Sequence, residues 1–210
     1  MLKDIHTHHL SSSPETQLLS CCFHEASSPK LNEAVHLSVG IHPWYITQED
    51  FPMQLEWLQE RLTDPRICAI GEGGLDTLCN TPHDLQEKAF RKLIELSEQS
   101  QLPLIIHCVK SVAQILQLKK EYKPRKPWII HGFRGKPQQA SELIRHGFYL
   151  SFGERYAPQS LQATPLNRIF IETDESTCPI KELYRKAAET LKITQEALEE
   201  SVFENINQVF

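Results

Sequence analysis

Six residues of the types that bind metal ions stand at or just beyond the ends of short apolar runs: His6, His8, Glu72, His107, His131 and Asp174. Imidazoles and carboxylates together suit Zn²⁺, Mn²⁺ or Fe²⁺, and a carboxylate such as Glu72 can bridge two ions. The H-x-H spacing of Ile5-His6-Thr7-His8 turns both rings to one side of an extended chain, so both can reach one ion. Two ions about 3.5–4 Å apart can activate a water and stabilise the leaving oxygen of a displaced ester. Asp174 would then ligate one ion and take a proton from the attacking water. A single histidine at a strand end is more often a hydrogen-bonded core or surface residue; the coincidence of six is what points to chemistry. His9, His24, His36, His83 and His146 do not share the pattern and read as ordinary residues.

The elements that must bring these residues together are legible. Short apolar, β-branched stretches at 2–6, 17–23, 35–40, 67–71, 103–107, 126–130, 147–151 and 168–172 read as eight strands. Helical patterns lie between most of them, at 50–63, 82–100, 111–121 and 136–145, with two more at 180–191 and 194–206. Thr81-Pro82 reads as a cap followed by proline at the first helical position. The stripe Leu85, Ala89, Phe90, Leu93 and Ile94 would face a sheet. Alternation of strand and helix implies a parallel sheet, and eight units in 210 residues imply a compact (β/α)8 TIM barrel as one domain, 1–210. Residues 7–16 and 24–34, rich in Ser, Pro and Asn, are too short for full crossover helices, so the first third of the barrel should be trimmed. In a closed parallel barrel every strand C-terminus meets at one mouth. His6 and His107 end predicted strands, His8, His42, Glu72 and His131 follow them, and Asp174 lies just past the eighth.

Composition narrows the function classes. A net charge of −5 and the lack of a long Lys/Arg run count against a protein that coats nucleic acid non-specifically. They do not count against an enzyme whose metal ions attract one phosphate locally. No apolar run is long enough to span a membrane, and the start Met1-Leu2-Lys3-Asp4 turns polar too soon for a signal peptide, so the expected address is cytoplasmic. The six cysteines form no C-x-x-C, and are read as reduced and structural.

The motifs Asp4-Ile5-His6-Thr7-His8, Gly40-Ile41-His42-Pro43 and Ile70-Gly71-Glu72-Gly73-Gly74-Leu75-Asp76 resemble successive motifs of the TatD family of metal-dependent hydrolases. So do Pro103-Leu104-Ile105-Ile106-His107, His131-Gly132-Phe133-Arg134-Gly135 and Glu172-Thr173-Asp174, in the family's order. The resemblance implies an amidohydrolase-type barrel with a divalent metal pair, and hydrolysis of phosphodiester bonds, commonly as a deoxyribonuclease. By position it implies that His6 and His8 hold the first ion, His107 and His131 the second, that Glu72 bridges, and that Asp174 joins the first as ligand and base. His42 would meet substrate, or be a plain loop histidine beside the Pro43 turn.

The chain departs from the family pattern at the groups that would meet substrate. Where the family usually has arginine two residues after the fifth-strand histidine, Val109 stands, followed by Lys110. A lysine holds phosphate only as a point charge. Arg134 places a cation near the mouth, and Glu175 a negative charge. Lys110, Arg134, Lys136 and Arg155 are the candidate phosphate-binding cations. The expected substrate is nucleic acid, DNA ahead of RNA, with no obligatory protein partner; the ions are a divalent pair, Zn²⁺, Mn²⁺ or Mg²⁺. Hydrolysis of a small carboxylic ester or amide is the alternative, and a non-catalytic metal-binding barrel ranks last.

Overall fold

The computed structural model describes residues 2–210, in which eight parallel strands run in sequence order β1 to β8. They are β1 (Asp4–Thr7), β2 (Gln17–Cys22), β3 (His36–Gly40), β4 (Ile67–Asp76), β5 (Leu104–Val109), β6 (Trp128–Ile130), β7 (Phe148–Phe152) and β8 (Ile169–Ile171). Most strand positions are buried, as expected when helices cover the outside of a parallel sheet. The ends of the sheet meet where Asp174 N–H donates to His6 O at 2.9 Å and His8 N–H donates to Asp174 O at 3.1 Å. Closure therefore runs through the backbone of residues whose side chains are site candidates.

The first two crossovers are trimmed as the composition implies. They carry 3-10 turns at Pro14–Thr16 and Phe23–Glu25 and a single helical turn, α1 (Lys30–Glu33). Full helices begin with α2 (Phe51–Arg61) and α3 (His83–Ser100), followed by α4 (Val112–Tyr122) and α5 (Pro137–Arg145). The chain ends with α6 (Pro158–Gln162), α7 (Ile180–Leu191) and α8 (Gln195–Val209). Leu85, Ala89, Phe90, Leu93 and Ile94 are all buried, so the predicted stripe of α3 is the face that covers the barrel. No helix among the described residues is long and apolar enough to cross a membrane.

The structure corrects four local expectations. Strand β4 does not stop at residue 71 but continues to Asp76, so Glu72 lies within a strand rather than after one. The glycines around Glu72 permit close packing. A Cβ on Gly74, whose φ is +154°, would lie 2.0 Å from the carbonyl oxygen of His107, and one on Gly40 would lie 2.4 Å from that of Glu72. Strand β5 likewise continues through His107 to Val109, and β8 stops at Ile171, before Glu172. Helix α6 was not expected, since Pro158–Gln162 is too short to show a periodic stripe.

Gly74→Ala is therefore expected to force β4 away from β5 beside His107. The loss should be about 3 kcal/mol, the upper end for overpacking, read as a lower urea midpoint at unchanged slope. A midpoint equal to that of the parent protein would contradict the close-approach argument.

Candidate active site

All six predicted residues reach one small volume at the strand C-termini. The centre is Glu72, 3% exposed, carried by β4 between β3 and β5. Its Oε2 lies 3.2 Å from His6 Nε2 and 3.3 Å from His8 Nε2. Its Oε1 lies 2.7 Å from both His107 Nδ1 and His131 Nε2, and 3.0 Å from His42 Nε2. The two oxygens thus face two separate sets of imidazoles. Asp174 Oδ1 approaches the Nε2 atoms of His6 and His8 at 3.8 Å each.

Local backbone structure explains these positions. His6 and His8 turn the same way from β1 and the residue after it, as alternate residues of an extended chain do. Asp174 sits in the left-handed region at φ +55°, a conformation that Asp and Asn tolerate better than most residues. Its loop is pinned by Asp4, whose buried carboxylate accepts from the Thr173 amide at 3.0 Å and its hydroxyl at 2.6 Å. Burial pushes Asp4 up to about 7 against the opposing hydrogen bonds from Thr173.

Two further carboxylates stand behind the histidines. Asp76 Oδ2 lies 3.2 Å from His107 Nε2, and Glu172 Oε1 lies 3.4 Å from His131 Nδ1 while accepting the Gly132 amide at 2.6 Å. The His107 ring therefore shows one nitrogen to Glu72 and the other to Asp76, the arrangement that fixes tautomer and orientation in metal-binding histidines, while His131 Nδ1 faces Glu172 without a hydrogen bond. Neither role is assigned from sequence, although the signal exists. Glu72, Gly74 and Asp76 share the two-residue period of one strand, and Glu172 and Asp174 repeat the spacing of His6 and His8.

The buried imidazoles and carboxylates shift one another. Burial alone would raise the Glu72 carboxyl, but the His131 charge and hydrogen bonds from His107, His131 and His42 hold it well below the usual carboxylate range. Burial opposes charge on His131, yet Glu72 and Glu172 lift it well above an ordinary imidazole. His8 is raised in the same way, against burial, by Glu72, Glu175 and Glu25. His42 differs: burial lowers it, outweighing Glu72. Its Nδ1 accepts the Trp44 amide at 3.1 Å, which leaves the proton on Nε2 facing Glu72.

The residues fit a cation. Both ring nitrogens of His6, with Nδ1 of His131 and Oε2 of Glu172, are buried with no hydrogen-bond partner. Such groups are costly to leave unpaired, about 1–3 kcal/mol each. Ligand atoms of His6, His8 and Asp174 lie within 4.8 Å of one another, as do those of His6, Glu72 and His131, and of His42, Glu72 and His107. This donor set of imidazoles and carboxylates is one that divalent transition ions accept.

Lys110 and Arg134 are both exposed on the rim of a recess of about 550 Å³ that opens beside His107 and His131. Arg134 also lines a neighbouring cleft with Arg155, Glu154 and Glu175. Lys136 lines neither and caps α5. The sequence reads His24 as an ordinary residue and assigns no role to Trp44 or Tyr45. The His24 ring stacks on Tyr45 with centroids 3.9 Å apart, and both line a cavity with His8, His42 and Glu72.

Comparison with known proteins agrees with this architecture. A family model described as TatD related DNase matches residues 17–210, a span that begins after His6 and His8. An uncharacterized metal-dependent hydrolase, YabD, of Bacillus subtilis is 29% identical over 204 residues, covering 84% of this chain and 77% of that one. A 3′-5′ ssDNA/RNA exonuclease, TatD, of Citrobacter koseri is 29% identical over 153 residues, covering 65% of this chain and 56% of that one. Among solved structures, the TatD homolog YjjV of Escherichia coli superposes with a TM-score of 0.82 at 17% identity, over 100% of this chain and 96% of that one. The barrel is the same, and with a family model matched over nearly its whole length this chain belongs to the TatD family.

Proposed function

We propose that the chain is a hydrolase of phosphodiester bonds in single-stranded nucleic acid, DNA ahead of RNA, dependent on a pair of divalent ions. The observation that carries this reading is the division of Glu72, one oxygen toward His6 and His8 and the other toward His107 and His131. His6, His8 and Asp174 would hold the first ion, His107 and His131 the second, with Glu72 shared. When bound, such a pair lowers the pKa of water and neutralises charge on the phosphate.

The chain's own residues supply the rest. Asp174, whose side chain is one-quarter exposed, is the group open enough to take a proton from water at Oδ1. His42 presents its Nε2 proton to Glu72 and holds that carboxylate in place. Lys110, Arg134 and Arg155 make no ion pair among the described residues, which leaves them free to bind phosphate oxygens. These cations favour a phosphodiester over the alternative of a neutral carboxylic ester or amide. The names of the relatives, a DNase family and a 3′-5′ ssDNA/RNA exonuclease, point the same way.

The test sets a labelled single-stranded deoxyoligonucleotide, the same sequence in RNA, and p-nitrophenyl acetate against the metal-loaded protein. Cleavage of the oligonucleotides, fastest for DNA, is expected; turnover of the acetate alone would transfer the function to carboxylic esters. Asp76→Ala should weaken the second ion about 10–100-fold through loss of His107 orientation. Competition against a chelating indicator measures this, and two unchanged affinities would remove Asp76 from that role.

A further inference from the structure

Of the three tryptophans, Trp57 and Trp128 are 8% and 0% exposed, whereas Trp44 is 52% exposed. It is exposed without being loose. Its Nε1–H donates to Asp76 Oδ2 at 2.7 Å. The indole meets the rings of His42 and His107 nearly at right angles, 80° and 79°, with centroids 4.9 and 5.5 Å away. Asp76 thus holds the indole and a His107 nitrogen with the same oxygen. A large aromatic ring fixed at one edge and left open to water has the properties of a stacking platform, because little conformational freedom remains to be lost on binding.

The surroundings identify what stacks there. Trp44 lines the recess of about 550 Å³ together with Val109, Val112 and Phe133, and the same recess carries Lys110 and Arg134. Apolar walls, one clamped indole and two unpaired cations complement an aromatic base joined to a phosphate. The recess is continuous with His107 and His131, so a base seated in it belongs to a nucleotide whose phosphate lies at the cluster.

We propose that Trp44 is the stacking platform for the nucleobase next to the scissile phosphate, which makes the site one for unpaired bases. A base inside a duplex is stacked on its neighbours on both faces and cannot offer one to the indole. The inference rests on the nuclease reading and deepens it. Stacking does not discriminate strongly among bases, so it confers selection for a base over none, not a sequence preference.

Trp44 is also the one exposed tryptophan among the described residues, so its fluorescence reports the contact directly. The probes are two phosphorothioate-linked deoxytetranucleotides, one of thymidines and one abasic, titrated into the metal-loaded protein. The thymidine probe is expected to quench emission and the abasic probe not. Trp44→Phe should abolish the quench while keeping most of the affinity, and Trp44→Ala should weaken the thymidine probe about 10-fold and the abasic probe less than about 2-fold. Equal weakening of both probes, quenching that survives in Trp44→Phe, or no binding of either probe overturns the proposal. Base-dependent quenching without cleavage of a normal oligonucleotide would sink the nuclease reading and leave the platform standing. Cleavage that is indifferent to the base and to Trp44→Ala would do the reverse.

Discussion

Glu72→Gln is expected to reduce bound metal from two ions per chain to one or fewer and to lower hydrolysis at least about 10³-fold, the scale of losing one preorganised electrostatic group. Glutamine has the shape of glutamate but only one oxygen, and its amide nitrogen cannot ligate a cation. The Oε2 position faces His6 and His8 at 3.2 and 3.3 Å, and the Oε1 position faces His107 and His131 at 2.7 Å each. Whichever way the amide turns, one set of imidazoles meets an NH₂ group. Elemental analysis of the dialysed variant reads the metal, and steady-state kinetics the rate. Two retained ions with a rate within tenfold of the parent would show that the carboxylate does not bridge.

Asp174→Asn is the second large effect. Asparagine accepts the left-handed backbone that Asp174 holds at φ +55°, and the hydrogen bonds that close the barrel use only its backbone. The fold should therefore survive while the proton acceptor is lost. The expected fall in kcat is about 10²–10⁴-fold with KM little changed. Asp174→Ala should lose the same rate and, because alanine is strained in that backbone by about 1 kcal/mol or more, melt about 2–4 °C lower. Asparagine with near-normal kcat would move the base elsewhere, and asparagine that melts with alanine would contradict the backbone argument.

The sequence shows the candidate ligands more clearly than their supports. Six residues separated by up to 168 positions could be matched because each lies at or just after an apolar run, and a parallel barrel sends all such ends to one mouth. The trimmed first crossovers were also readable, since Ser-, Pro- and Asn-rich segments cannot build a long amphipathic face. Asp76 was missed because the predicted strand ends at residue 71, whereas Gly71 and Gly74 admit the backbone of β5 and the strand runs on to Asp76. Once β4 is seen to run on, Asp76 falls on the side of Glu72 by strand period alone. Trp44 and Tyr45 gave no such signal. A half-exposed aromatic pair after a proline has no periodicity, and only the packing shows that one ring is clamped by Asp76 and the other stacked on His24.

His42 illustrates the limit in another way. Its position after β3 suggested a residue at the mouth, and that placement is correct. Its relation to Glu72, and the proton placement set by the Trp44 amide, depend on a 3-10 turn at Pro43–Tyr45 that no pattern in the sequence announces.

The most direct test of the account titrates metal-stripped protein with Mn²⁺ or Zn²⁺ while following cleavage of a labelled single-stranded deoxyoligonucleotide. Activity should stay low through the first equivalent and rise to its plateau at the second. Activity complete at one equivalent, or present with none, would contradict a site built on a shared Glu72.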